Sequence, residues 1–316
     1  MFFRIALVSL VLTFCVSCSE QSVPPVKIAI NPWPGYEFLY LAEEKGFFQK
    51  TGLNAKLIQL RSLADGQRAY INGHVDGMAS TVIEAVQAEV FGGEPLKVVM
   101  VSDYSDGGDM VVARSEFANM QALRGKKIGC EVSSLGIFIL QRALAKSGMS
   151  LEDVELVNIE QMRVEKAMNS QELDAVVTYS PVSINLLNSK NYHAVFTSRE
   201  IPKEIIDIIS ISEKALKANP EFVSRLHDAW GMALDYYRSN PQDALTIMAE
   251  REGITPADFK GVLSDLKIVD EKGQKEIFEP SKGLDKNIME VCRTLVHVNA
   301  ISTDCANFPD IVYKRS

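Results

Sequence analysis

His74-Val75-Asp76-Gly77-Met78-Ala79-Ser80-Thr81 and, further along, Glu172-Leu173-Asp174-Ala175-Val176-Val177-Thr178-Tyr179 follow one pattern. Each leaves the end of a helical segment, passes an aspartate and a small residue, and enters a short apolar strand that ends in hydroxyl groups. Around the first copy, apolar strands at 27–30, 55–60 and 75–79 alternate with helical segments at 35–45 and 64–72, and helix 82–91 and strand 97–102 complete the unit. Around the second, strands at 110–113, 127–131, 154–159 and 173–178 alternate with helices at 134–147 and 161–170. Strand and helix alternating at this spacing predict an α/β fold with largely parallel strands. Two such units stand side by side, and ligands of open α/β sheets sit at the carboxyl ends of the strands, so a cleft lined by both is expected.

Beyond strand 205–212 the chain turns helical. Asn219-Pro220, Asn240-Pro241 and Thr255-Pro256 each place a capping side chain before a proline, three predicted helix starts. Phe222, Leu226, Trp230 and Leu234 form an apolar stripe that packs on something already folded, and a last helix is expected at 285–298.

The chain has 316 residues, 47% hydrophobic and 23% charged, with a net charge of −8. This excludes a disordered or low-complexity chain. At roughly 100–200 residues per domain it predicts two domains. The acidic balance argues against nucleic acid as a partner. His74, His193, His227 and His297 have no ligand-like spacing and no HExxH or CxxC occurs, so no metal is expected.

Met1 to Arg4 precede an apolar run at 5–16, the length of a signal-peptide core and too short to span a bilayer. The run ends in small residues before Cys18, after which the chain turns polar. Residues 1–17 therefore read as a signal peptide, Cys18 as a lipidated first residue and 18–25 as a linker, with plain cleavage nearby as the alternative. Export places Cys130, Cys292 and Cys305 in an oxidising compartment. Cys130 reads as a small buried hydrophobe, and Cys292 and Cys305 are close enough in sequence either to bridge or to stay free.

The first strand ends in Asn31-Pro32-Trp33-Pro34-Gly35-Tyr36-Glu37, a stiff turn that presents Trp33 and Tyr36 with little ordering entropy. A staple to the core is the competing reading. Ser102-Asp103-Tyr104-Ser105-Asp106-Gly107-Gly108-Asp109 joins the two units and reads as a glycine-bearing hinge. Its register is wrong for a calcium loop, and Asp103 and Asp109 are placed to recognise a donor-rich or cationic ligand group. Ser133 and Ser134 open a helix whose free N–H groups would seat an anion, and Ser80 and Thr81 offer the matching seat on the other unit; plain capping is the alternative for both. Tyr179 is placed to oppose Trp33, whereas Arg61 and Ser62 read as a surface loop or a contact. No GxSxG, P-loop or GxGxxG occurs, so no catalytic residue is assigned.

Trp33-Pro34-Gly35-Tyr36, Leu41-Ala42-Glu43-Glu44-Lys45-Gly46-Phe47-Phe48, Gly73-His74-Val75-Asp76-Gly77, the 103–109 segment, Leu123-Arg124-Gly125-Lys126-Lys127-Ile128-Gly129 and Asp174-Ala175-Val176-Val177-Thr178 occur in an order and spacing that resembles one family. It is the periplasmic substrate-binding proteins of ABC importers in the nitrate/sulfonate/taurine group, the SsuA/TauA-like or NMT1/THI5-like proteins. The resemblance implies a two-lobed type II periplasmic-binding fold with a ligand cleft between lobes. Lobe I would comprise 26–103 plus 205–316, and lobe II 104–204. It also implies a small polar organic ligand (sulfonate, taurine-like or pyrimidine-like), no cofactor, a monomer, and an ABC permease with its cytoplasmic ATPase as partner. The periplasmic chain would touch the membrane only through lipid on Cys18. Tyr104 joins Trp33, Tyr36 and Tyr179 as an aromatic set too extensive for nitrate. Tyr179-Ser180-Pro181 departs from the Trp-Glu-Pro triplet of many relatives. Two alternatives from other classes stay open: a thiamin-pyrimidine synthase of the same fold, and a ligand-sensing receptor acting through a partner.

Overall fold

The computed structural model describes residues 24–279 and 283–314; the expected signal peptide, Cys18 and most of the linker lie outside the described residues. The strands are β1 (Val26–Ile30), β2 (Ala55–Gln59), β3 (Gly77–Thr81), β4 (Leu96–Ser105), β5 (Met110–Arg114), β6 (Lys127–Cys130), β7 (Glu155–Asn158), β8 (Ala175–Thr178), β9 (Tyr192–Thr197), β10 (Ile206–Ser212) and β11 (Leu266–Ile268). They form a six-stranded sheet ordered β11-β4-β10-β3-β1-β2 and a five-stranded sheet ordered β7-β6-β8-β5-β9.

The two repeated segments place β3 and β8 at equivalent positions. β1 runs parallel to β2 and β3 in one sheet, and β6 runs parallel to β7 and β8 in the other. β10 enters the first sheet antiparallel between β3 and β4. Every residue of β10 is buried, as expected of a central strand whose sequence is an isoleucine-rich run.

The chain passes between the sheets twice, from β4 to β5 and from β9 to β10. The first crossing is shorter than the polar segment 102–109. β4 continues to Ser105 because Asp103 and Tyr104 pair with β10 and β11, so only a tight turn remains before β5. In that turn Gly107 has φ +127°, which favours glycine, and its N–H donates to Ser198 Oγ of the second crossing at 2.7 Å.

The helical tail packs on the first sheet. Phe222, Leu226, Trp230 and Leu234 are buried on the helix Phe222–Ser239, with the Trp230 ring edge-on to Phe38 at 5.6 Å and its Nε1–H donating to the Val269 carbonyl. The helix starts two residues later than the Asn219-Pro220 signal predicted, because a short helix Glu213–Ala218 precedes it and Asn219 Nδ2 donates back to the Ala215 carbonyl. Thr255 caps the helix Pro256–Leu263 through the Asp258 N–H, whereas Asn240 caps only by backbone, its side chain turned toward the Tyr236 carbonyl. The last helix, Leu284–His297, lies on Val82–Val90 and carries Cys292, which is bridged to Cys305 with the Cα atoms 5.9 Å apart. Cys130 is buried and free.

Candidate functional site

The two sheets meet around a small cavity. Asn31, Trp33 and Tyr36 from the turn after β1, Leu63 and Asp207 line it from the first half; Asp109, Leu135 and Tyr179 line it from the second. It leaves only about 10 Å³ for the centre of a water-sized molecule. Ordinary ligand pockets run to roughly 300–1,000 Å³ and a single water needs roughly 10–15 Å³, so the halves are closed nearly to contact. A larger groove between Val223, His227 and Glu271 lies on the first half alone, and one between Phe138, Arg142 and Asn287 spans both halves but is open at the surface.

The turn after β1 is held by its own chemistry. The Tyr36 N–H donates to the Trp33 carbonyl at 2.9 Å, and the indole Nε1–H of Trp33 points at the Asp103 carboxylate, 3.2 Å from Oδ1 and 3.3 Å from Oδ2. Two glycines make this pair sterically feasible. A Cβ at Gly35 would fall inside the Asp103 carboxylate, and one at Gly108 would lie 2.8 Å from the Trp33 ring. Trp33 is 4% exposed and meets the Tyr179 ring of the other half edge-on at 5.9 Å. Both sequence readings of Trp33 therefore hold at once: it walls the cavity and it is core.

Four acidic side chains surround this point without a basic one among the residues that line the cavity. Asp103, on β4, is the register partner of Asp207, on β10. Tyr36 Oη donates to Asp207 Oδ1 at 2.5 Å, and the Ser102 hydroxyl donates to Asp103 Oδ2 at 2.9 Å. Asp109 is 1% exposed, and neither of its carboxylate oxygens meets a donor in hydrogen-bonding geometry. The nearby Ser105 hydroxyl is engaged instead with Ser198 Oγ at 2.8 Å and with the Asp109 backbone N–H at 3.2 Å. Asp207 Oδ2 and Tyr179 Oη also lack partners.

Burial dominates the acid–base properties of the cluster. It raises Asp103 to about 7 against the pull of Ser102 and Trp33, with Asp109 pushing the same way. It raises Asp109 to about 7 as well, with the Ser105 hydroxyl opposing and Glu84 adding to the rise. Asp207 is held well above its ordinary range by burial and then by the charges of Asp103 and Asp109.

Glu84 is the fourth acid. Its Oε2 completes a capping box with Thr81 at the start of Val82–Val90, and its Oε1 accepts the Leu135 N–H at 2.8 Å, across the divide between the halves. The helix N-terminus expected to seat a ligand anion is thus filled by a carboxylate of the protein itself. Ser133 is exposed. Ser134 makes no side-chain cap, and its hydroxyl is turned toward Glu131. Thr81 is consumed by the capping box and Ser80 donates to the Thr81 carbonyl, so neither hydroxyl reaches the cavity wall. Tyr104 is half-buried between β10 and β11, also off the wall. Of the predicted set, the structure brings together Trp33, Tyr36, Asp109 and Tyr179, with Asp103 directly behind the indole. Asn31, Leu63, Glu84, Leu135 and Asp207 were not anticipated. The readable signal for Glu84 and Asp207 is a lone acid inside an otherwise apolar helix or strand, Val82-Ile83-Glu84-Ala85-Val86 and Ile205-Ile206-Asp207-Ile208-Ile209.

Further contacts tie the halves. Ser180 Oγ donates to Glu252 Oε2 at 3.0 Å, and burial raises Glu252 to about 8 although Ser180 and Arg251 oppose it. Arg61, exposed, reaches Met162 of the other half at its sulfur, and Ser62 caps the helix Leu63–Ile71 through the Asp65 N–H.

Two α/β sheets joined by a pair of crossings and closed over a shared cavity define a two-lobed periplasmic binding fold. The alkanesulfonate-binding protein SsuA from Xanthomonas axonopodis pathovar citri, bound to MOPS, superposes with a TM-score of 0.72 at 16% identity, covering 89% of this chain and 96% of that one. The family model described as NMT1/THI5 like matches residues 33–244, and the chain belongs to that family. Among its relatives, a binding protein of Brucella abortus is 26% identical over 260 residues, 77% of this chain and 76% of the relative. A 4-amino-5-hydroxymethyl-2-methylpyrimidine phosphate synthase of Aspergillus parasiticus is 24% identical over 248 residues, 72% of this chain and 70% of the relative.

Proposed function

We propose that the chain is the solute-binding component of an ABC importer: it captures a small polar organic molecule between its halves in the periplasm and presents the closed form to a membrane permease served by a cytoplasmic ATPase. The observation that carries this reading is a cavity walled from both sheets. Its sealing contacts, Glu84 with Leu135, Trp33 with Tyr179 and Ser180 with Glu252, exist only when the halves meet. A solute that bonds to both walls binds the closed form better than the open one, and this difference in affinity drives closure. Lobe I (26–103 plus 205–316) and lobe II (104–204) would move against each other about the two crossings, and lipid on Cys18 would hold the monomeric receptor at the membrane.

The likeness to a synthase keeps an enzyme of the same fold as the second reading. The side chains lining the cavity are Asn, Trp, Tyr, Leu and Asp, which supply hydrogen bonds and aromatic faces but no lysine for a Schiff base and no thiol or imidazole nucleophile. Native mass spectrometry of the chain taken from its own periplasm tests the proposal. One unchanged small molecule per chain, released on unfolding, is expected; release of a chemically converted product on incubation would favour the enzyme. The same spectra read the N-terminus, where a diacylglyceryl mass on Cys18 is expected and a free N-terminus would remove the anchor.

A further inference from the structure

The acids of the cavity define the charge of what enters it, an inference that rests on the receptor reading and refines it. Asp109 is buried with both carboxylate oxygens unpartnered and lines the space, and Asp207 lines it too, its carboxyl facing that of Asp103. Buried carboxylates without donors are costly, and proteins normally satisfy them. No lining side chain is Lys, Arg or His, and Asn31 Nδ2, the Trp33 indole and the Tyr36 hydroxyl are committed to Pro32, Asp103 and Asp207, which leaves the Tyr179 hydroxyl as a neutral donor and no cationic one. The backbone N–H best placed to hold an anion, that of Leu135, is already taken by Glu84. An incoming sulfonate, nitrate or carboxylate would therefore meet like charges and no donor cluster. Trp33 and Tyr179 add aromatic surface, which attracts a cation over a ring face and suits a flat molecule in a narrow space.

We propose that the site takes a small flat organic cation, of the amidinium, guanidinium or protonated amino-heteroaromatic class, whose N–H groups supply Asp109 and Asp207 with the donors that the protein itself withholds. The cation lies against Trp33 and Tyr179, and its charge offsets the mutual repulsion of Asp103, Asp109, Asp207 and Glu84 when the halves close. This departs from the alkanesulfonate named for the structurally similar SsuA.

Pairs of probes matched in shape and opposite in charge test it: guanidinium against nitrate, benzamidinium against benzoate, and 4-aminopyridinium against a pyridine carboxylate. Thermal melting of the purified chain at millimolar probe is expected to rise by about 3 °C or more with at least one cation and with no anion, since a ligand specific to the native state stabilises it. Asp109→Asn is expected to remove the cation response while its own melting temperature stays equal or rises, because the substitution neutralises a buried unpaired acid. A purely structural aspartate would instead lower the melting temperature. If Asp109→Asn does not fold, Asp207→Asn serves as the second variant, with the same expectation. A response to an anion in the native chain overturns the cation proposal and leaves the receptor reading standing. Silence from every pair also overturns it. The receptor reading itself falls if no solute accompanies the chain from its own cells, or if the chain converts one.

Discussion

Asp103 and Asp207 face each other directly across the antiparallel pair of β4 and β10, both almost wholly buried. Like charges at directly opposed strand positions destabilise a sheet, and burial multiplies the cost. Ordinary packing would place apolar side chains here, as it does at the neighbouring Ile208 and Val101. The arrangement persists because Tyr36, Trp33 and Ser102 donate hydrogen bonds to the two carboxyls. It concentrates proton-binding groups at the seam where the halves close.

The acids around this seam make stability depend on pH in a definite direction. Asp103 and Asp109 are raised to about 7 in the folded chain, so the folded state holds protons that the unfolded state releases near pH 4. Their contribution is complete below about pH 4 and is lost as the pH rises toward 7. Asp207→Asn is expected to stabilise the solute-free chain at pH 8 by on the order of 1 kcal/mol or more and to change little at pH 4. Urea unfolding of both proteins at the two pH values checks this; equal stability at pH 8 would show that the pair carries no strain.

Glu84 closes the seam by accepting the Leu135 N–H. Glu84→Ala leaves that donor and the Thr81 box unpaired, and the expected loss is about 1–3 kcal/mol together with a more open solute-free chain. Small-angle scattering is expected to show a larger radius of gyration for the variant, and an unchanged radius would mean that Glu84 serves the capping box alone.

Trp33 and Tyr179 should separate under substitution although they touch. Trp33 is 4% exposed and bonded to Asp103, so Trp33→Ala is expected to lose about 3–5 kcal/mol of stability as well as affinity. Tyr179→Phe removes a hydroxyl without a partner and is expected to keep its stability within about 1 kcal/mol while solute binding weakens. Denaturant melts paired with calorimetric titration of the co-purified solute measure both, and a Tyr179→Phe variant with unaltered affinity would remove that hydroxyl from the site.

Much of this was legible in the sequence because it is local. The alternation of apolar strands with helices around His74 to Thr81 and Glu172 to Tyr179 reports the two sheets, and the prolines at 32 and 34 report the turn that carries Trp33. The parts that escaped depend on pairing between distant residues. Asp207 joins the site only because β10 returns beside β4, a register that no local pattern encodes. Ser80, Thr81, Ser133 and Ser134 looked like ligand seats because capping and anion binding use the same residue types at the same helix position; a carboxylate from the other half decides which occurs. Strands β9 and β11 were missed. Tyr192–Thr197 is half-exposed at a sheet edge, and Leu266–Ile268 is too short to show a period.

The pH dependence of cation affinity is the sharpest check on a carboxylate cage. Benzamidinium keeps its charge across the range, whereas the groups it must meet, Asp103, Asp109 and Asp207, flanked by Glu84, Glu131, Tyr36 and Tyr179, must give up protons to receive it. Calorimetric titration is expected to show affinity rising by up to about tenfold per pH unit for each proton displaced between pH 5 and 7, with protons released on binding. An affinity that stays flat, or that strengthens on acidification, would contradict a carboxylate cage closing on a cation.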